Sequence, residues 1–266
     1  MSTLVMGILN ITPDSFADGG RHFDFKSAIS RAEEMISEGV DIIDVGGEST
    51  RPEAKRIEEE DELARVIPVI RELATLGATI SVDTMRASVA EAAIKAGATY
   101  VNDVSGGLAD NKMAPLIARH PSIQYIAMHW RGHSEKMAQL ANYQDLLREV
   151  RGELAERVEN LTLEGIDPEQ IIIDPGLGFA KDPHHNWTLL QNLERIALLG
   201  FPILIGASRK KFLGELLDGA KADDRDFASA AITTLVANFG VWAVRTHSVK
   251  PHKDAIKVVE RMKLKG

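Results

Sequence analysis

One unit, repeated along the chain, constrains the fold more than any other feature of the sequence. An amphipathic helix ends at a glycine, a short apolar strand follows, and the strand ends in a polar side chain. Gly77 leads through ATISV to Asp83, and Gly97 leads through ATYV to Asn102. These strands do not alternate between apolar and polar residues, which indicates burial on both faces in a parallel sheet covered by helices.

The repeat predicts eight strands, which begin near residues 4, 40, 79, 99, 123, 170, 202 and 241. Amphipathic helices are predicted between them, for example over Ile57–Leu76, Tyr143–Glu164 and Phe227–Phe239. Eight such units in 266 residues match the size of a (β/α)8 TIM barrel. We therefore predict an α/β protein with one barrel domain over residues 1–266. The alternative is an open doubly wound sheet, which usually has fewer strands.

The composition disfavours several classes of function. The 31 basic and 39 acidic residues give a formal net charge of −8, which argues against a nucleic-acid or anionic-membrane partner. The absence of cysteine excludes disulfides and thiolate catalysis, and it fits a reducing cytoplasm. No signal-peptide pattern is visible, and the apolar runs are far shorter than a membrane span. We expect a cytoplasmic protein that acts on small molecules.

Polar residues mark the carboxyl end of every predicted strand, where barrel enzymes carry their active sites. They are Asn10, Glu48 to Arg51, Asp83, Asn102, His129, Asp174, Ser208 to Lys210, and Arg245 with His247. Solvated loops are polar anyway, but polar residues at the ends of all eight strands are hard to attribute to solvation alone. We expect these side chains to converge on one mouth of the barrel.

Three of these residues are hydrogen-bond acceptors, namely Asp83, Asn102 and Asp174. Acceptors on neighbouring or opposed strands suit a ring edge rich in N–H groups, such as an aminopyrimidine. The alternative is that Asp83 and Asp174 cap the loops that follow them, because Asp174 precedes Pro175 and Gly176 in a common turn context.

A second set is cationic and predicts an anionic ligand such as phosphate or pyrophosphate: Arg51, Arg209, Lys210, Arg245 and His247. The segment GASRKKFLG adds small residues before a helix, which leaves amide donors beside the cations. The alternative is a solvated basic start of a helix.

The loop NITPDSFADGG after the first strand is longer and more polar than a connection needs to be. Asn10, Asp14 and Asp18 in this loop could serve an oxygen-coordinated Mg²⁺ that bridges phosphates. Zinc is a poor alternative, because His129 and His133 lack the HExxH context and His184 and His185 are adjacent.

Eight segments, in order, resemble the dihydropteroate synthase family of pterin-binding barrels. MGILNITPDSFADGG and GGESTRP are similar to the two mobile loops of the family. The pterin-pocket strands and the lysine segment are matched by SVDT, VNDVSGG, AMHWRG, IIIDPGLGFAK and GASRKKFLG. VRTHSV stands where the family has its terminal Arg-x-His segment. The resemblance implies a TIM barrel that joins 6-hydroxymethyl-7,8-dihydropterin pyrophosphate to p-aminobenzoate and releases pyrophosphate.

The resemblance also implies roles for particular residues. The pterin would be held by Asp83, Asn102, Met128, Asp174, Phe179, Gly206 and Lys210. Pyrophosphate would be held by Asn10, Ser49, Thr50, Arg51, Arg245 and His247, with Mg²⁺ at Asn10. Aminobenzoate would be flanked by Thr50, Pro52, Ser208, Lys210 and Lys211. The residues implied in catalysis are Asp14, Asp83, Asp174 and Lys210, and the implied assembly is a homodimer through helices near residues 210–240.

Three positions depart from the usual family pattern: Glu53 stands for Gly, Thr246 for Val and Ser248 for Asp. The residues with direct roles are kept, so we interpret these changes as tolerated variation. Two other functions share much of the pattern, a pterin-dependent methyltransferase domain and a non-catalytic paralogue that binds pterin or phosphate. A methyltransferase would not need the cations of the anion clamp.

Overall fold

Eight parallel strands form the centre of the molecule in a computed structural model, which describes residues 2–11, 21–48, 56–133 and 137–264. The strands are β1 (Leu4–Asn10), β2 (Ile42–Gly46), β3 (Ile80–Asp83), β4 (Tyr100–Asp103), β5 (Gln124–Met128), β6 (Ile171–Asp174), β7 (Leu204–Ile205) and β8 (Ala243–Thr246). The predicted (β/α)8 barrel is confirmed.

Helices separate the strands. They are α1 (Arg21–Ser37), α2 (Glu59–Thr75), α3 (Ala87–Ala96), α4 (Met113–Ala118), α5 (Leu146–Leu163), α6 (Pro183–Gln191), α7 (Leu193–Ala197), α8 (Lys211–Leu216), α9 (Asp226–Phe239) and α10 (Val249–Lys263). The helices predicted from periodicity coincide with α2, α5 and α9 to within three residues at each end. In the described part of the chain, no helix is both long enough and apolar enough to cross a membrane.

The sheet runs in the order β6-β5-β4-β3-β2-β1-β8-β7. Its two ends meet at one point, where Ile173 of β6 bridges Ile203 and the Ile173 N–H donates to the carbonyl of Pro202 at 2.9 Å. The last-but-one strand was predicted to begin near residue 202 but is limited to Leu204–Ile205. Proline has no N–H to donate to a ladder, which accounts for the late start of β7.

The interior of the barrel is divided along its axis. Apolar side chains from six of the eight strands fill the amino-terminal half, namely Met6, Ile42, Ile126, Ile172, Leu204 and Ala243. The larger apolar core lies outside the sheet, between the strands and the helices, and includes Val5, Val45, Val82 and Val101. Since side chains alternate between the two faces of a strand, the inward residues nearest the carboxyl ends stand above an apolar floor.

Candidate active site

An arginine links carboxylates from two other strands across the carboxyl end of the barrel. Arg245 of β8 donates from Nε to Oδ2 of Asp44 at 2.6 Å and from Nη2 to Oδ2 of Asp83 at 2.7 Å. Asn102 of β4 donates from Nδ2 to the same oxygen of Asp44 at 3.0 Å. Strands β2, β3 and β8 are therefore joined through their inward side chains, and two carboxylates share one guanidinium.

Asp44 was not among the residues selected from the sequence. It is fully buried, and its Oδ1 accepts no hydrogen bond within the described ranges. The signal that could have found it is the second aspartate of VDIIDV, a charged residue in a strand that is otherwise apolar on both faces. Such a residue needs a partner in the interior, and Arg245 provides it.

The carboxyl group of Asp83 has an unusual affinity for protons. Burial raises its pKa from 3.8 to about 7, against the attraction of Arg245, and the neighbouring carboxylate of Asp44 adds to the rise. The register pairs Asp83 with Asn102 on one side and with Gly46 on the other. Asp83 therefore lies beside the predicted pterin ligand Asn102, and burial makes its charge costly even with Arg245 as a donor.

This raised pKa predicts a pH dependence of stability. Between about pH 4 and pH 7 the folded protein holds a proton on Asp83 that the unfolded chain has released, so the free energy of unfolding falls as pH rises. We expect Asp83→Asn to remove up to about 1.4 kcal/mol per pH unit from that slope. Urea unfolding at several pH values in this window measures it. An unchanged slope in Asp83→Asn would contradict the assignment, and exposed Asp145→Asn serves as the control.

Asp174 is buried and Lys210 is half-buried, and the charges of the two groups act on each other. Asp174 Oδ1 accepts from the backbone N–H of Gly176 at 2.7 Å, while burial raises the pKa of this carboxyl group. Burial lowers the pKa of Lys210 to about 8, and the attraction of Asp174 opposes the shift. A methyl group on the α-carbon of Gly206 would stand 3.8 Å from Asp174 Oδ2, so Gly206 adjoins the carboxylate.

Two apolar residues border these charges. The ammonium of Lys210 lies 4.2 Å from the centre of the Phe179 ring, a cation–π contact. Met128 is buried and pairs in register with Asp174. Gly178 has a φ of +76°, and a Cβ there would stand 2.9 Å from Cδ of Lys210. A residue with a side chain would therefore strain the backbone and displace the lysine.

Residues predicted to hold the leaving group and aminobenzoate lie on the same side. Ser208 Oγ lies 3.1 Å from Nδ1 of His247, and Lys211 opens α8 next to Lys210. Asn10 ends β1 and pairs in register with Gly46, which pairs in turn with Asp83. Several predicted residues lie outside the described ranges: Asp14, Asp18, Ser49, Thr50, Arg51, Pro52 and Glu53.

Arg209 does not join the cations predicted to bind an anion. Its Nε and Nη2 donate to the two oxygens of Asp226 at 2.7 and 2.8 Å, and its Nη1 donates to Asp223. Its φ of +58° is in the left-handed region. The guanidinium is thus neutralised by acidic residues at the start of α9, and the prediction that it contributes to the anion clamp is wrong.

His129 was predicted to face the mouth, but it lies behind the wall of the barrel. Its Nε2 contacts Glu153 of α5 at 2.9 Å and its Nδ1 contacts Nζ of Lys181 at 2.9 Å. Lys181, which the sequence analysis did not select, also donates to the carbonyl of Phe179 at 3.0 Å. The reason is the alternation of the strand: His129 follows inward-facing Met128 and so points outward.

Burial sets the protonation of this cluster. Burial, with the charge of Lys181, lowers the pKa of His129 to about 4, while Glu153 opposes the shift. Burial lowers the pKa of Lys181 to about 7, and the attraction of Asp174 opposes that shift. The neutral imidazole accepts from Lys181 and donates to Glu153. Arg131 also pairs with Glu153 and lies over the ring of Tyr143. Through the hydrogen bond from Lys181 to the Phe179 carbonyl, the cluster stabilises the segment that carries Phe179.

Comparison with known proteins identifies the family. Residues 6–247 match the pterin binding enzyme family. Dihydropteroate synthase of Mycobacterium leprae is 49% identical over 96% of this chain and 92% of its own length. Dihydropteroate synthase of Xanthomonas albilineans, solved with 4-aminobenzoic acid, superimposes with a TM-score of 0.93 at 38% identity, covering 100% of this chain and 94% of that one.

The same X. albilineans enzyme, in complex with 7,8-dihydropteroate, superimposes with a TM-score of 0.90 at 34% identity over 100% of this chain and 95% of that one. Sequence and fold agree over nearly the whole length in each comparison. Asp83, Asn102 and Asp174 lie at or next to the carboxyl ends of β3, β4 and β6, and their role as pterin ligands stays a prediction. The chain belongs to the dihydropteroate synthase family of pterin-binding enzymes.

Proposed function

We propose that the chain condenses 6-hydroxymethyl-7,8-dihydropterin pyrophosphate with p-aminobenzoate to give 7,8-dihydropteroate and pyrophosphate. The observation that carries the proposal is the set of buried acceptors Asp83, Asn102 and Asp174 above the apolar floor, together with the half-buried cations Lys210 and Arg245. Relatives solved with 4-aminobenzoic acid and with 7,8-dihydropteroate support both the second substrate and the product.

Recognition of the pterin would rest on buried carboxylate and amide oxygens that can accept further hydrogen bonds. Asp83 and Asp174 carry pKa values raised by burial, so N–H donors of an aminopyrimidine edge would relieve an existing cost. Asn102 adds an amide whose carbonyl can accept while its Nδ2 donates to Asp44. Phe179 and Met128 would lie against the faces of the ring.

The leaving group would be stabilised by a concentrated positive field. The contacts of Arg245 with Asp44 and Asp83 use Nε and Nη2, and no described residue contacts Nη1. A guanidinium has five N–H donors, so Nη1 remains to bind an anion. Arg51 and His247 would complete this clamp. Charge that grows on pyrophosphate in the transition state is then met by donors already in place, which lowers the barrier.

Carbon–oxygen cleavage ahead of amine attack would leave a cationic methylene group on the pterin. Asp83 and Asp174 would stabilise that charge, and closure of the loops after β1 and β2 would exclude water. The aminobenzoate nitrogen then forms the new bond and loses a proton, so no nucleophilic side chain is required. This fits a chain without cysteine.

Magnesium fits the donor set at the end of β1. The amide oxygen of Asn10, the carboxylates of Asp14 and Asp18 in the sequence that follows, and pyrophosphate oxygens are the hard ligands that Mg²⁺ prefers. Within the described ranges, no group of three histidine, cysteine, aspartate or glutamate residues could hold a metal by itself. Bound there, Mg²⁺ would neutralise phosphate charge, while Asn10 orients the ion from the rigid strand.

The test is a pyrophosphate-release assay with both substrates and Mg²⁺. We expect release of one pyrophosphate for each dihydropteroate formed, and loss of both signals when aminobenzoate is omitted. Pterin binding without turnover would identify a non-catalytic paralogue and refute the proposal. Binding of methylated pterin with methyl transfer would instead identify a methyltransferase domain.

The order of binding follows from how the aminobenzoate site is built. Ser208 and Lys211 border α8, whereas Thr50 and Pro52 belong to the loop after β2. We expect aminobenzoate to bind at least about tenfold more tightly when pyrophosphate and Mg²⁺ are present, because they would hold that loop over the site. Calorimetric titration with and without pyrophosphate measures the difference. Equal affinity for the free and loaded enzyme would argue against a site completed by the loop.

A second copy of the chain is the proposed macromolecular partner. Large apolar side chains are exposed on adjacent helices, with Phe227 at 89% and Leu235 at 72% on α9, and Val258 and Met262 on α10. Large apolar side chains exposed on neighbouring helices are typical of an interface, and two-fold pairing would bury them symmetrically. This face includes part of the region, near residues 210–240, that the family resemblance implied for a homodimer.

Disrupting this face should separate the dimer. We expect wild type to elute at twice the chain mass in light-scattering chromatography, and Leu235→Glu to shift it toward the monomer because a charge would be buried at the contact. Leu163→Glu, at an equally exposed position on α5, is the matched control. A wild-type monomer, or a dimer unaffected by Leu235→Glu, would refute this interface.

We also propose that the protein works in the cytoplasm. A chain without cysteine gains nothing from an oxidising compartment, and the substrates of the proposed reaction are small charged molecules. Cell fractionation followed by the pyrophosphate-release assay tests this location.

A further inference from the structure

A buried chain of hydrogen bonds connects His247 with helices α9 and α10. Ser208 Oγ lies 3.1 Å from His247 Nδ1, and Thr246 Oγ1 donates to Ser208 Oγ at 3.3 Å. Thr246 Oγ1 also lies 2.7 Å from Nε2 of His252, whose Nδ1 lies 2.7 Å from Oγ1 of Thr233. All members except His247 are buried.

The hydroxyl of Ser208 has a single proton to give. It has two acceptor lone pairs, and it receives the backbone N–H of His247 at 3.2 Å and the hydroxyl of Thr246 at 3.3 Å. With both lone pairs engaged, the remaining contact of Ser208 must be made with its own proton. That contact is Nδ1 of His247, which is therefore the acceptor.

The ring nitrogen of His252 that carries the proton decides the direction of its hydrogen bond with Thr246. This imidazole is 2% exposed, and burial lowers its pKa to about 4, opposed only by Asp226 among the charges that act on it. It is neutral at pH 7 and has one proton for two short contacts. When Thr233 donates to Nδ1, the proton lies on Nε2 and is donated to Thr246.

Thr246 then accepts from His252 and from the backbone N–H of Ser248 at 3.3 Å. Its own proton is directed away from His252, toward Ser208 Oγ and the carbonyl of Ser248 at 3.1 Å, in a three-centre arrangement. In this arrangement every acceptor in the chain of hydrogen bonds has a donor. Each member donates to the next, in the order Thr233, His252, Thr246, Ser208 and His247.

We propose that Thr246 and His252 are positioning residues that hold His247 in the tautomer with its proton on Nε2. The functional consequence rests on the proposed role of His247 at pyrophosphate. A fixed Nε2–H gives the leaving group a donor whose orientation is settled before the substrate arrives. Thr246 is one of the departures from the usual family pattern, and a valine there has no hydroxyl to transmit the polarity of His252.

The test compares Thr246→Val, which removes the hydroxyl at nearly constant shape, with Thr246→Ser, which keeps it. Thr234→Val is the control, because the Thr234 hydroxyl donates to the Ala230 carbonyl of its own helix. Long-range proton–nitrogen spectra report the protonation of both ring nitrogens of His247, with signals assigned by their loss in His247→Asn. Product inhibition by pyrophosphate is measured on the same variants.

We expect Nε2 to be the protonated nitrogen in wild type, Thr246→Ser and Thr234→Val. In Thr246→Val we expect a mixture of the two tautomers and about five- to tenfold weaker inhibition by pyrophosphate. A proton on Nδ1 in wild type, or an unchanged tautomer in Thr246→Val, overturns the proposal whatever the activity. A shifted tautomer with unchanged inhibition in both Thr246→Val and His247→Asn supports it and refutes instead the contact between His247 and pyrophosphate.

Discussion

Asp174→Asn is expected to weaken binding of the pterin pyrophosphate at least about 100-fold while the barrel stays folded. The ring would lose two charge-assisted hydrogen bonds, each worth about 1.5–3 kcal/mol, and would meet an amide donor in place of an acceptor. The native contact with the Gly176 N–H survives, because asparagine keeps an oxygen at the Oδ1 position. Calorimetric titration of a pterin pyrophosphate analogue measures the loss.

Stability should not fall with affinity in this variant. Burial raises the pKa of Asp174, which means that the charged carboxylate is disfavoured in the empty pocket, and the neutral amide avoids that cost. The melting temperature of Asp174→Asn should therefore equal or exceed that of wild type. Asp145→Asn changes a carboxylate that caps α5 far from the pocket and should bind normally. Near-normal affinity in Asp174→Asn would remove Asp174 from pterin recognition.

Lys210→Met is expected to lower turnover by about 100-fold or more while stabilising the fold at neutral pH. The ammonium lies 4.2 Å from the centre of the Phe179 ring and its charge acts on Asp174, so its loss would remove positive charge from the proposed pterin pocket. Methionine keeps an unbranched chain that can pack beside Gly178 and Phe179. Steady-state turnover and thermal unfolding on the same preparation measure both effects.

The stabilisation has a definite pH dependence. Burial lowers the pKa of Lys210 from 10.5 to about 8, so the unfolded chain holds a proton between these values that the folded protein has released. The stability of wild type therefore rises with pH across this window, and the advantage of Lys210→Met is largest below pH 8 and fades above it. Lys95→Met, at an exposed position on α3, is the control. Turnover within threefold of wild type would exclude Lys210 from catalysis.

The sequence determined which part of the barrel carries the chemistry. Parallel strands end at one edge, so polar residues that close apolar strands must meet there, and Asp83, Asn102 and Asp174 do. The helical spacing of apolar residues likewise predicted α2, α5 and α9, because an amphipathic pattern indicates which face of a helix is buried. Boundaries were less well determined: the strand expected to begin near residue 202 covers only Leu204–Ile205.

Tertiary structure alone decided the partner of each charged group. Arg209 and Arg245 look equivalent in the sequence, yet one is neutralised by Asp226 on α9 and the other joins Asp44 to Asp83 across the barrel. Local pattern cannot predict these pairs, since Arg245 and Asp44 are 201 residues apart along the chain.

Tertiary structure also decided which groups are protonated. The two-residue period of a strand predicts the direction in which a side chain points, but it does not predict the protonation state of that side chain. His129 and His252 are both neutral because burial lowers their pKa values. Lys181 could not be selected from the sequence, because its partner His129 comes from another loop. A pKa depends on burial and on the charges within a few ångströms. The residue types and their edge of the barrel are thus fixed by the sequence, whereas their pairing and charge follow only from the packed structure.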